Sequence, residues 1–183
     1  QGRAAFPATG DGGAHSARYD DKREVRFSAD EDCCKVAGSG TDKGFGYMRV
    51  WDESNLAAPV QIGEYRTPNS LGTNDQGAGD YVIHNPLLVG SNVYASWYTD
   101  GVRVIDVSNP RAPKETAYFV PPATENPVKP TQRGPLTNPT PVWGVAADEA
   151  QQANGRLHPS GRKRGLRHVR PTAPEPAPGA ARR

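Results

Sequence analysis

Apolar and polar positions in this chain alternate over short stretches and almost nowhere follow a helical period. Tyr47, Arg49 and Trp51 alternate with Met48 and Val50, and Val102, Val104 and Asp106 alternate with Arg103 and Ile105. A period of two over four to eight residues predicts strands. Each stretch ends at an Asp, and Ser-Asn and then a proline follow. An Asp so placed accepts hydrogen bonds from backbone N–H groups two or three residues on and closes an Asx-type turn. The proline cannot donate to a ladder, so it belongs in the loop or at the first position of the next strand. Further strands are predicted at residues 60–65 and 115–120.

The two stretches are copies of one pattern. Arg49-Val50-Trp51-Asp52-Glu53-Ser54-Asn55-Leu56-Ala57-Ala58-Pro59 returns 54 residues later as Arg103-Val104-Ile105-Asp106-Val107-Ser108-Asn109-Pro110-Arg111-Ala112-Pro113. Both read R-V-x-D-x-S-N-x-x-x-P, and Asp52, Ser54, Asn55 and Pro59, with Asp106, Ser108, Asn109 and Pro113, are the predicted turn residues. Upstream, His15 and Ser28 match His84 and Ser96, with spacings of 13 and 12 residues. Each unit therefore reads as four short strands: one led by a His, one ending near a Ser, the R-V-x-D strand, and one after the proline. Repeated four-stranded antiparallel units are the mark of propeller blades, because a lone sheet of this kind cannot bury both its faces.

The expected fold is all-β: a partial β-propeller with one four-stranded antiparallel blade at 14–68, carrying an insertion at 32–44, and another at 81–120. A Pro-rich loop at 121–141 leads to an incomplete blade at 142–170, where Trp143 takes the place of the His. Residues 1–13 are expected to be a linker or disordered, and 171–183 a disordered tail.

The segment Gly101-Val102-Arg103-Val104-Ile105-Asp106-Val107-Ser108-Asn109-Pro110-Arg111-Ala112-Pro113 resembles the LVIVD repeat family of bacterial proteins. The resemblance covers about residues 14–147 and is strongest at 81–120. It implies a propeller-like fold, a secreted or cell-surface location, and no settled biochemical activity. The chain departs from the family at residues 156–164, which hold almost no strand former, while Gly165-Leu166-Arg167-His168-Val169-Arg170-Pro171 again resembles the close of a blade. A short reading-frame disturbance over residues 155–165 is the expected cause. Propellers close with about four blades or more, so two units and part of a third are expected to be a C-terminal piece of a larger ring. The start, Gln1-Gly2-Arg3, has neither Met nor an apolar leader, as expected of a chain whose signal peptide has been removed or of a fragment.

Composition narrows the picture further. With 20 glycines and 18 prolines in 183 residues, long helices are excluded, and no apolar run is long enough for a membrane helix. The net charge of +2 is a cancellation: residues 151–183 carry eight basic groups and one acid, so the rest is acidic. Such a tail attracts anionic surfaces, yet its Pro and Ala content reads as a solvated end, and nucleic-acid binding ranks last among the readings. Cys33 and Cys34 are adjacent. They read as ordinary loop thiols, ahead of a strained vicinal disulfide or a soft-metal contact.

Candidate chemistry is sparse. His15 and His84 occupy equivalent places, and in a propeller equivalent first-strand residues converge on the central channel, where imidazoles suit a transition metal. Two imidazoles do not complete a site, and each His alternatively bonds to the backbone of a neighbouring unit. Asp30-Glu31-Asp32 lacks the spacing of a calcium loop and reads as a solvated turn, and Asp100-Gly101 reads as a hairpin turn. Trp51, Trp97, Tyr98 and Trp143 read as packing between blades ahead of a ligand face. No G-x-S-x-G, H-E-x-x-H or P-loop is present, so no catalytic residue is nominated. The expected role is binding or scaffolding, without enzymatic activity, with the remaining blades or another protein as partner. The alternative is a metal-dependent hydrolase or oxidoreductase whose His residues line the channel.

Overall fold

The computed structural model describes residues 14–31, 46–71, 81–122, 142–147, 157–161 and 165–166. Strands β1 (Ala14–Asp20), β2 (Val25–Asp30), β3 (Met48–Asp52) and β4 (Val60–Tyr65) form an antiparallel sheet in the order β1-β2-β3-β4. Strands β5 (Pro86–Val89), β6 (Asn92–Ser96), β7 (Val102–Asp106) and β8 (Lys114–Phe119) form a second sheet in the order β5-β6-β7-β8. A third, three-stranded sheet, β11-β10-β9, comprises β9 (Val142–Ala147), β10 (Leu157–Gly161) and β11 (Gly165–Leu166). Among the described residues there is no helix, and none therefore long and apolar enough to cross a membrane.

The repeat in the sequence is a repeat in register. Phe27 faces Val50, which faces Gly63; in the second sheet Tyr94 faces Val104, which faces Ala117. The irregularity between Val50 and Trp51, which leaves Ile62 unmatched, recurs between Val104 and Ile105, which leaves Thr116 unmatched. A bulge of this kind bends the strand and increases its twist. Pro59 and Pro113 sit immediately before β4 and β8, clear of the ladder positions that need an N–H.

One sequence correspondence slips. Ser28 lies opposite Arg49, but Arg103 lies opposite Ala95, so Ser28 corresponds to Ala95 and Ser96 to Ala29. A slip of one residue exchanges faces, and the two serines indeed do different work: Ser28 Oγ accepts a 2.9 Å bond from Trp51 Nε1, while Ser96 Oγ donates to the Trp143 carbonyl at 3.0 Å. The cause is hairpin length. The β5–β6 connection is the tight Gly90-Ser91 pair, with Gly90 at φ 59°, two residues shorter than the β1–β2 connection.

Residues 156–164, expected to lack a strand, also contribute one. β10 pairs with β9 and β11 and sets Pro159 opposite Val145; strand preference is set by neighbouring pairs more than by residue type. Expectations for residues 1–13 and 171–183, for most of 121–141, for the insertion at 32–44, and for Cys33 and Cys34 fall outside the described residues.

The core lies between the sheets. Val25, Phe27, Ala29, Met48 and Val50, which share one face of the first sheet, form one buried cluster with Val93, Ala95, Ile105 and Val107 of the second. In repeat terms these last four correspond to Arg26, Ser28, Trp51 and Glu53, on the opposite face. The front of the first sheet thus packs on the back of the second. The step repeats: Tyr94, Val104 and Ala117, on the front of the second sheet, pack with Val142 and Val145 of β9. Between the first two sheets, a Cβ at Gly63 would come within 2.4 Å of the Pro110 carbonyl oxygen, so only glycine admits this approach.

Candidate metal centre

Each four-stranded sheet begins at a strand edge close to its neighbour. His15 is the second residue of β1, at the irregularity between Ala14 and Ser16. His84 precedes β5, and its N–H donates to the Ser96 carbonyl at 2.9 Å, which extends the pairing with β6. Ser16 Oγ donates to the His84 carbonyl at 2.7 Å and joins the two sheets. The His15 and His84 rings are 4.5 Å apart between centroids, and His84 stacks on Trp143 of β9 at 5.4 Å with an interplanar angle of 16°. The three residues matched by the repeat, His15, His84 and Trp143, therefore stand in a row across three sheets. Tyr98 meets both His84 and Trp143 edge-on.

Glu31 completes the group. It follows β2 directly, with one carboxylate oxygen 2.9 Å from His15 Nδ1 and the other 3.8 Å from His84 Nε2. The Tyr98 hydroxyl donates to Glu31. One donor atom from each of His15, Glu31 and His84 lies within 4.8 Å of the others. Glu31 and His84 are mostly enclosed, and the His15 side chain is about a third exposed, at 36%. His84 Nδ1 lies 2.6 Å from the Trp143 carbonyl oxygen. The same Nδ1 also lies 2.6 Å from Asn85 Nδ2, and Nε2 is the ring nitrogen turned toward Glu31. Asn85 Nδ2 donates to the Trp143 carbonyl at 3.2 Å.

Reading Asp30 and Glu31 as a solvated turn is corrected by this structure. Asp30 is fully buried and ion-paired with Arg49, and Glu31 faces the histidines. With Ala14 opposite Asp30, Glu31, the residue after β2, comes level with the start of β1. Asp32 lies outside the described residues.

The predicted turn residues work locally. Ser54 donates its N–H and its hydroxyl to Asp52 at 3.1 and 2.7 Å, and the Ser108 N–H donates to Asp106 at 2.8 Å. Asn55 and Asn109 accept from the N–H groups of Ala57 and Arg111, each at 3.1 Å. The Ser54 hydroxyl and N–H hold Asp52 below the usual carboxylate range, and the Ser108 N–H does the same for Asp106. The arginine of the repeat was not singled out from sequence. Arg49 pairs with Asp30 and donates to Gln61 at 3.1 Å, while Arg103 reaches Asp100 and Glu115, each at 3.3 Å. Gln61 and Glu115 are equivalent positions, so this contact is part of the repeat. Trp97 is fully buried, with its Nε1 donating to the Tyr81 carbonyl at 2.9 Å, in keeping with a packing role. Asp100-Gly101 closes the β6–β7 hairpin, with Gly101 at φ 78°.

Two imidazoles and a carboxylate are a donor set that suits zinc and its neighbours. Around a protonated imidazole the same arrangement is a carboxylate held between two histidines. Neither a scan against protein-family models nor a search of the curated proteins finds a match for this chain.

Proposed function

We propose that this chain is a segment of an LVIVD-type β-propeller, a non-enzymatic scaffold of a secreted or cell-surface protein that presents a ligand-binding row along its first strands. The observation that carries the reading is the front-to-back packing of successive sheets, repeated once. A sandwich of two sheets closes on itself by burying one face of each. Front-to-back packing does not close on itself: each unit offers its front to the next, and a ring satisfies every unit without the polar capping units that a linear stack needs. His15, His84 and Trp143 then stand where equivalent residues of successive blades converge.

The back of the first sheet is polar where the back of the second is buried. Arg26 and Glu53, ion-paired at 2.8 Å, occupy the places of the buried Val93 and Val107. A cleft lined by His15, Ser16, Arg26, Trp51, Glu53 and Leu56 opens on that side. The remaining blades, from further sequence or from other copies, are the partners this reading requires. A metal-dependent enzyme is the second reading, favoured by the grouping of His15, Glu31 and His84.

Negative-stain images of the purified protein test the ring. Class averages with a central hole are expected, formed by several copies, because two units and part of a third are too few to close alone. Solid particles throughout, with no hole in any class, overturn the proposal.

A further inference from the structure

We infer that His15, Glu31 and His84 bind a divalent transition metal of the zinc class and so clasp the first sheet to the second. The three donors come from three separate places in the chain: β1, the end of β2, and the approach to β5. Metal–ligand bonds of about 2.0–2.2 Å in a tetrahedral site separate the donor atoms by roughly 3.4 Å. His15 Nδ1 lies 2.9 Å from one Glu31 oxygen and His84 Nε2 lies 3.8 Å from the other, and one donor atom from each of the three lies within 4.8 Å of the others, so small side-chain shifts bring the set to that spacing. Imidazole nitrogen with a single carboxylate and no thiolate selects zinc, cobalt, nickel or copper over calcium and magnesium, which take oxygen shells.

Two further observations point the same way. The surroundings match those of metal ligands, which as a rule give their other ring N–H to a backbone carbonyl and have their carboxylates hydrogen-bonded. His84 Nδ1 meets the Trp143 carbonyl at 2.6 Å, and Tyr98 donates to Glu31. The other ring nitrogen, His84 Nε2, faces a Glu31 carboxylate oxygen, a pair that a cation between them holds together. The outward exposure of His15 leaves room for water or an external ligand at a fourth position. None of this depends on ring closure, so the site stands or falls apart from the propeller reading.

The test is calorimetric titration of the chelator-stripped protein with zinc chloride, repeated with cobalt chloride and read by visible absorption. His15→Ala and Glu31→Gln are the informative variants, because His15 is exposed and Gln keeps the shape of Glu; far-UV circular dichroism checks that both retain the fold. A third protein, Cys33→Ser/Cys34→Ser, removes the competing thiols. One equivalent of zinc per chain is expected, with affinity reduced at least about tenfold in each of the first two variants and retained in the third. Absence of saturable binding by the folded protein overturns the inference. So does unchanged affinity in His15→Ala and Glu31→Gln, or loss of binding in Cys33→Ser/Cys34→Ser.

Discussion

Arg49 is among the largest fully buried side chains described, and it is charged. Its guanidinium and the Asp30 carboxylate enclose each other at 2% and 0% side-chain exposure. Removing one member of such a pair strands the other, at a cost of about 3–5 kcal/mol. Arg49→Ala is therefore expected to lower the unfolding free energy by about that amount in urea titrations. Arg103→Ala is expected to cost less, because the Arg103 pairs with Asp100 and Glu115 are longer and keep more solvent. Equal losses at the two positions would contradict this account. The pattern marked Arg49 as part of a repeat but could not show its burial, since Asp30 lies 19 residues away across the insertion. Glu31 was hidden for a similar reason. Its neighbours His15 and His84 come from two sheets, and no local spacing encodes that meeting.

At the scale of strands and turns, local chemistry was legible. Alternation located the two R-V-x-D strands, and the turn and the repeat placed the other strands of the two four-stranded sheets; β8 begins at Lys114, one residue before the start expected from sequence. The Asx turns followed from Asp, Ser and Asn alone, because their hydrogen bonds span two residues. The register of β6 was not legible, because a two-residue hairpin moves a whole strand without changing its pattern of residue types. The turns also set a pH dependence. Asp52 and Asp106 have carboxyl groups held below their ordinary range in the folded protein. A depressed folded value means that the stabilisation is present above the unfolded value, about 3.9, and is lost as pH falls through the folded value. Urea midpoints measured from neutral pH downward should therefore fall below about pH 4. The fall should be shallower in Asp52→Asn/Asp106→Asn, where the amide oxygen still accepts the turn N–H. An identical pH profile in the double variant would show that the two carboxylates carry none of this dependence.

For the whole molecule, the second unit already signalled burial on both faces. Tyr94 and Val104 alternate with Val93, Ala95 and Ile105, the near-continuous apolar run of a sheet covered on each side. The first unit differs: Arg26, Ser28 and Glu53 stand on its back. That difference separates an internal junction from a boundary, and it could be assigned only once the register was known. Front-to-back packing is the claim on which the rest depends, and the Tyr65–Trp97 contact reports on it. Tyr65 ends β4 of the first sheet and meets Trp97 of the second edge-on at 5.5 Å. The most direct measurement is a double-mutant cycle with Tyr65→Leu and Trp97→Leu, read as urea unfolding free energies. The account predicts a coupling of about 0.5–1.5 kcal/mol, the range for an edge-to-face aromatic pair. Losses that simply add, to within about 0.3 kcal/mol, would mean that the two sheets do not pack front to back in solution.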